Sequence, residues 1–225
     1  MMPKCWSPIT AFEPHSVVAF DLDDTLYPER DFVESGLRYV AERLGLASSF
    51  DLIAAYHKGE RDVFGTLLET PGLTGRFTKQ DLLEWYRSHQ PDIVLEPGVS
   101  RVLQRLSEQN VPLALITDGR SVTQRNKIRA LGIEHLFSPI VISEEFGSEK
   151  PDERNFRAVE AAHPGCRYLF VADNPAKDFI TPRKFGWTTI CVLDAGQHIH
   201  PQSFAGDPSF LPDFAVHSVA QILAE

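Results

Sequence analysis

The stretch Val17-Val18-Ala19-Phe20-Asp21-Leu22-Asp23-Asp24-Thr25 decides the fold. Four apolar, partly β-branched residues run straight into a cluster of carboxylates. That pattern predicts a buried strand that delivers acids to the end of a sheet. Burying acids is costly unless something binds them, and a divalent cation is the usual remedy. Residues two apart in an extended segment point to the same side, so Asp21 and Asp23 can address one ligand together. Standing alone, the same residues also fit a strand end followed by an acidic turn.

The chain has 225 residues, enough for one substantial core with a smaller inserted unit. Its formal net charge is −9 and it has no Lys/Arg tract. This argues against nucleic acid or an anionic membrane as a partner, but not against a small phosphorylated substrate held in a locally positive pocket. Met1 to Trp6 lack an apolar signal core, and no stretch approaches the ~18 apolar residues of a membrane span. Cys5, Cys166 and Cys191 are scattered and odd in number, which suggests neither zinc spacing nor a disulfide framework. A cytoplasmic setting is the expectation.

Outward from the acidic stretch, the text turns helical. Leu26-Tyr27-Pro28 reads as a turn. Val33, Leu37, Val40, Ala41 and Leu44 then recur at helical spacing, with Gly45 as a stop. Further helices are expected over Phe50–Lys58, over Asp62–Glu69 and from Thr78, an N-cap with Asp81 in capping-box position. Asp31 to Gln90 holds no evident strand and reads as an all-helical insert. From Glu96-Pro97-Gly98 strands and helices alternate. An amphipathic helix carries Val99, Val102, Leu103 and Leu106. Strands are expected at Val111–Ile116, Pro139–Ile142, Tyr168–Ala172, Thr188–Leu193 and Phe214–Val216. Helices are expected from Ser121 to Leu131, over Asp152–Ala162, from an N-cap at Thr181 with Pro182 in the first turn, and over Val219–Leu223. Ala195–Pro212 reads as a loop. The fold class is therefore α/β, a doubly wound, Rossmann-like parallel sheet with an inserted all-helical cap domain. The core is expected in residues 1–28 and 91–225, and the cap in 29–90.

In such sheets ligands bind beyond the carboxyl ends of the strands. The expected strand ends carry Asp21 and Asp23, then Thr117-Asp118-Gly119, then Glu149-Lys150-Pro151, then Asp173-Asn174 followed by Asp178. Phosphoryl transfer through an aspartate needs this set. A carboxylate can attack phosphorus. Positive charge must offset the meeting of two anions, and Mg²⁺ with oxygen ligands suits that task. A hydroxyl and backbone N–H groups at a glycine turn can bind phosphoryl oxygens. A second carboxyl can serve the leaving alkoxide and then water.

With these motifs the sequence resembles the haloacid dehalogenase (HAD) superfamily, in its phosphatase branch. The resemblance runs from about Val17 to the C-terminus and is weak in the helical insert, whose position looks like a C1-type cap. It implies Asp21 as nucleophile and Mg²⁺ ligand, and Asp23 as general acid/base with a metal-binding backbone carbonyl. It implies Thr117, Lys150 and the Gly119 N–H, within the Thr117-Asp118-Gly119 turn, as the phosphate grip. Asp173 would complete the metal site, with Asp178 a ligand or close neighbour, and Thr25 would brace the first loop. Ala172 stands where the family usually has Gly. Dehalogenases of the family lack the second aspartate, so Asp23 favours phosphate esters. The implied activity is a Mg²⁺-dependent phosphatase acting on a small phosphorylated metabolite, a sugar phosphate or a nucleotide. A phosphomutase, or a non-catalytic binding module on the same fold, is the alternative.

Several residues read two ways. The Asp118 side chain either belongs to the site or caps a turn. Arg120 either reaches a substrate anion or faces solvent. His198 and His200 form an H-x-H pair that lacks a third ligand for zinc and read as loop residues. Tyr39, Trp85 and Tyr86 read as packing residues of the cap.

Overall fold

A computed structural model describes residues 2–46, 48–205 and 207–224, with Phe50 described in its backbone alone. Gly206, within the expected loop 195–212, lies outside the described residues, as do Met1, Ala47 and Glu225.

The strands are β1 (Lys4–Cys5), β2 (Ser16–Phe20), β3 (Leu113–Thr117), β4 (Phe137–Ile142), β5 (Arg167–Ala172), β6 (Thr188–Val192) and β7 (Phe214–Val216). They form one sheet in the order β1-β7-β6-β5-β2-β3-β4, and every pairing is parallel. The chain winds from β2 through β3 to β4 in one direction and from β5 through β6 to β7 in the other. β2 therefore lies at the switch of direction, where a crevice opens beyond the strand ends.

Both faces of the sheet are covered, which is why its strands read as continuous apolar runs. Val18 and Phe20, with Leu113 and Leu115, face α5 (Pro97–Glu108) and α6 (Ser121–Ala130). Their alternates Val17, Ala19, Ala114 and Ile116 face Phe156 and Val159 of α8 (Glu153–Ala162). The four apolar positions read for α5 are all buried. Gly132, with φ +70°, ends α6 in the left-handed conformation that a side chain would resist.

Residues 29–88 hold α1 (Glu29–Arg43), α2 (Phe50–His57), α3 (Val63–Leu68) and α4 (Lys79–Ser88), with no strand among the described residues. They bury a core of their own around Leu37, Val40, Phe64, Leu67 and Leu82. The expected capping box is present: Thr78 Oγ1 accepts from Asp81 N, and the Asp81 carboxylate accepts from Thr78 N. Asn126 of α6 donates to the carbonyls of Ser88 and His89, and Thr123 to that of Arg87, fastening the insert to the sheet domain.

Four local features differ from expectation, among them the helix read over Val219–Leu223, which is a 3-10 turn at Val219–Gln221. β1 pairs with β7 at the sheet edge, and a two-residue strand carries no periodicity to read. A one-turn helix, α7 (Ser143–Phe146), follows β4. Thr181 is not an N-cap: α9 (Ile180–Lys184) has its N-cap at Phe179, two residues earlier, and the Thr181 hydroxyl donates to the Pro151 carbonyl at 2.5 Å.

Candidate active site

Asp21 follows β2 directly, and its N–H continues the ladder to the Val171 carbonyl at 2.9 Å. Its side chain therefore sits at the carboxyl end of the sheet. Lys150 Nζ meets Asp21 Oδ1 at 2.6 Å and Asp178 Oδ1 at 2.9 Å, and all three side chains are buried. Asp21, Asp173 and Asp178 each bring a carboxylate oxygen within 4.8 Å of the others. Burial pushes the Asp21 carboxyl up to about 8 against the pull of Lys150, and the charges of Asp178 and Asp173 add to the rise. Burial raises Asp173 in the same way. Three buried carboxylates facing one ammonium are an anionic nest of hard oxygen donors, which a small divalent cation such as Mg²⁺ fits.

Asp23 is held differently. Its carboxylate accepts from Tyr27 Oη at 2.6 Å, Lys127 Nζ at 2.7 Å and Gln124 Nε2 at 2.9 Å. Burial alone would raise this carboxyl, but the Lys127 ammonium and the hydrogen bonds outweigh it and hold Asp23 below the usual range. Lys127 also lies 3.5 Å from Glu29, the first residue of α1. Burial, aided by the Asp23 charge, pushes Glu29 up to about 7. Gln124 Nε2 donates in addition to Thr117 Oγ1 at 2.6 Å. With its oxygen so occupied, the Thr117 hydroxyl keeps its own proton available as a donor.

The Asp118 side chain reaches neighbouring loops rather than capping its own turn. Oδ1 accepts from the Lys150 N–H at 3.0 Å and Oδ2 from Lys177 Nζ at 2.7 Å, so it places two cations. Gly119 has φ +143°, and a Cβ there would lie 3.2 Å from Gln124, so the turn and the buried glutamine require each other. The Gly119 N–H, expected on phosphate, instead donates to Ser143 Oγ at 2.9 Å, because α7 presses a serine against the turn. Arg120 is half exposed and pairs with Glu144. Thr25 is buried beneath the first loop.

These groups surround a cavity of about 100 Å³. Asp21, Asp23, Thr117, Asp118 and Asp173 line it directly. Lys150 and Asp178 lie behind Asp21.

Sequence reading missed the supporting cast. Gln124 and Lys127 share the inward face of α6 with Ile128, a spacing that could have revealed two buried polar residues. His198 and His200 are more than loop residues. His200 lines the cavity, and His198 Nδ1 stands 3.5 Å from Asp173 Oδ2. Their loop is fixed by Gln202 Nε2, which donates to the Asp173 carbonyl at 2.6 Å, and by Asp24 Oδ2, which accepts from Ile199 N at 2.9 Å. Such long-range tethers leave no local sequence signal.

Residues 18–192 match the family model of haloacid dehalogenase-like hydrolases. The chain belongs to this family. Glyceraldehyde 3-phosphate phosphatase of Methanopyrus kandleri is 26% identical over 226 residues, covering 92% of this chain and 94% of that protein. Phosphoserine phosphatase of Thermus thermophilus is 32% identical over 149 residues, covering 65% and 57%. Among solved structures, YfnB of Bacillus subtilis, bound to magnesium, superposes with a TM-score of 0.64 at 21% identity, covering 92% of this chain and 96% of its own. A dehalogenase with an intermediate complex has a TM-score of 0.61 at 18% identity. The shared fold thus spans more than one chemistry, and the residues of the site must separate them.

Proposed function

We propose that this chain is a Mg²⁺-dependent phosphatase that hydrolyses a small organic phosphate monoester through an aspartyl-phosphate on Asp21. The observation that carries this reading is the pair of carboxylates in opposite environments. Asp21 sits in the acidic nest with Lys150, and Asp23 sits in a cradle of three donors. A halide needs no proton on leaving, whereas an alkoxide does, and Asp23 is the group that can supply one. The phosphatase names of the sequence relatives agree with this choice.

Asp21, Asp173 and Asp178, with the main-chain carbonyl of Asp23, would hold Mg²⁺, which when bound supplies positive charge to offset two approaching anions. Asp21 Oδ attacks phosphorus, and the ester oxygen departs. Lys150 and the Thr117 hydroxyl hold the non-bridging oxygens. Asp23 protonates the leaving alkoxide, then takes a proton from the water that opens the acyl-phosphate. Lys127 favours the ionised Asp23 that the second step needs. A phosphate dianion beside Asp23 raises its proton affinity for the first step. Residues 29–90 act as a C1-type cap that excludes water during transfer, with its hinge near Tyr27-Pro28 and the 90–97 segment.

The test is phosphate release from a panel of phosphate esters with Mg²⁺ and with EDTA. Wild type should release phosphate with metal alone, and Asp21→Asn should lose roughly 10⁴-fold or more in kcat. Release that persists in Asp21→Asn would falsify the nucleophile assignment.

A further inference from the structure

The cavity restricts what can occupy it beyond the phosphoryl group. About 100 Å³ is small beside the ~300–1,000 Å³ of clefts that take drug-sized ligands. Its lining is polar throughout: beyond the groups named above it is formed by Asp24, Glu29, Asn174, Lys177 and His200, with no aliphatic or benzenoid side chain among the described residues. Among the described residues no aromatic side chain of the insert lines it. Phe32 packs on Tyr86 and His89, and Trp85 packs on Phe77 beneath Arg43. A nucleobase would find no apolar face to stack on.

Charge narrows the choice further. Glu29 is the sole lining residue contributed by the insert among those described, and it is a carboxylate. Asp118 already engages Lys177 at 2.7 Å. Lys127 is committed to Asp23 and Glu29. Among the described residues each lysine on or behind this wall already faces a carboxylate, so a second anionic group would meet a wall with more acids than cations, while hydroxyls could donate to Glu29 and accept from Asn174 or His200. We propose that the substrate is a short, hydroxylated phosphate monoester whose phosphate is its single anionic group. This rests on the phosphatase reading above and narrows it.

The experiment compares kcat/KM with Mg²⁺ at about pH 8 for glycerol 3-phosphate and ribose 5-phosphate, for phosphoglycolate and 3-phosphoglycerate, and for adenosine and uridine 5′-monophosphates. One of the neutral hydroxylated esters should exceed every compound of the other two groups by about tenfold or more. Glu29→Gln should raise the ratio of phosphoglycolate to glycerol 3-phosphate turnover by about fivefold, since like charges across a site discriminate strongly. Preferred turnover of a nucleotide or a carboxylated ester overturns the substrate class and leaves the phosphatase intact. Phosphate release from none of the compounds overturns both. An unchanged ratio in Glu29→Gln, in a variant that retains turnover, overturns the role of the acidic wall.

Discussion

At the scale of single residues, the site divides into groups that carry charge and groups that aim them. Lys127 is 2% exposed and bridges Asp23 and Glu29. Replacing it by Met leaves two carboxylates without their shared cation. Urea denaturation of Lys127→Met should show a loss of about 3–5 kcal/mol, the usual cost of breaking a buried ion pair from one side. Asp21→Asn should behave in the opposite way. It removes a carboxylate whose burial is resisted by Asp173 and Asp178, while Lys150 keeps its contact with Asp178. Metal-free Asp21→Asn should therefore melt at or above the wild-type temperature even though its turnover is gone, a trade of stability for activity that calorimetry reads directly. Asp21, Thr117 and Asp173 were legible as candidates because each stands at or directly after a strand end in the one-dimensional text. Gln124 and Lys127 were not, because their significance lies in what α6 faces. A glutamine and a lysine on a helix read as solvent-exposed until the fold turns them toward Asp23.

At the scale of elements, the insert depends on close approach between α1 and α4. Gly36 of α1 is buried, and a Cβ built there would lie 2.4 Å from the Tyr86 ring and 3.1 Å from His89. Gly36→Ala should thus destabilise the protein by about 1–3 kcal/mol despite the better helix propensity of alanine, because overpacking outweighs it. Hydrogen exchange should place the loss first in α1 and α4. Which elements the sequence disclosed follows from the physics of each signal. The α4 capping box is four residues long and self-contained, so Thr78 and Asp81 announced it. β2 and β3 announced themselves because burial on both faces demands apolar runs. Thr181 misled because Thr-Pro has the local look of a helix start, whereas its hydroxyl serves the carbonyl of Pro151, thirty residues away. Ala195–Pro212 reads as a loop and holds a single 3-10 turn, Pro208–Phe210, among its described residues, but its tether through Asp24 and Gln202 to the site is tertiary information.

At the scale of the whole molecule, the strand order concentrates negative charge at one end of the sheet, and that cost is visible in how stability should vary with pH. Glu29 rises from 4.5 to about 7 and Asp21 from 3.8 to about 8, both chiefly through burial. Between the unfolded and folded values the native state binds more protons than the unfolded chain. The sign is therefore negative: stability is greatest near the unfolded value and falls as pH rises toward the folded one. For Glu29 the window is about pH 4.5 to 7, and for Asp21 it extends to about 8. Asp23, held below its usual value, acts in the opposite sense and only at the acid end. In EDTA, the melting temperature of the wild type should decline steadily from about pH 5 to 8. Glu29→Gln should remove its own share of that decline below about pH 7, on the order of 2 kcal/mol, and leave the share of Asp21. Asp21→Asn should flatten the curve over the whole range, most plainly above about pH 7, where Glu29 no longer contributes. Mg²⁺ added to the wild type should raise the melting temperature most near pH 8, where the acidic nest is ionised and a bound cation relieves the most repulsion. If the curves of both variants run parallel to that of the wild type, the charge at the strand ends is compensated in some other way, and the acidic nest loses its standing as the place where a metal is required.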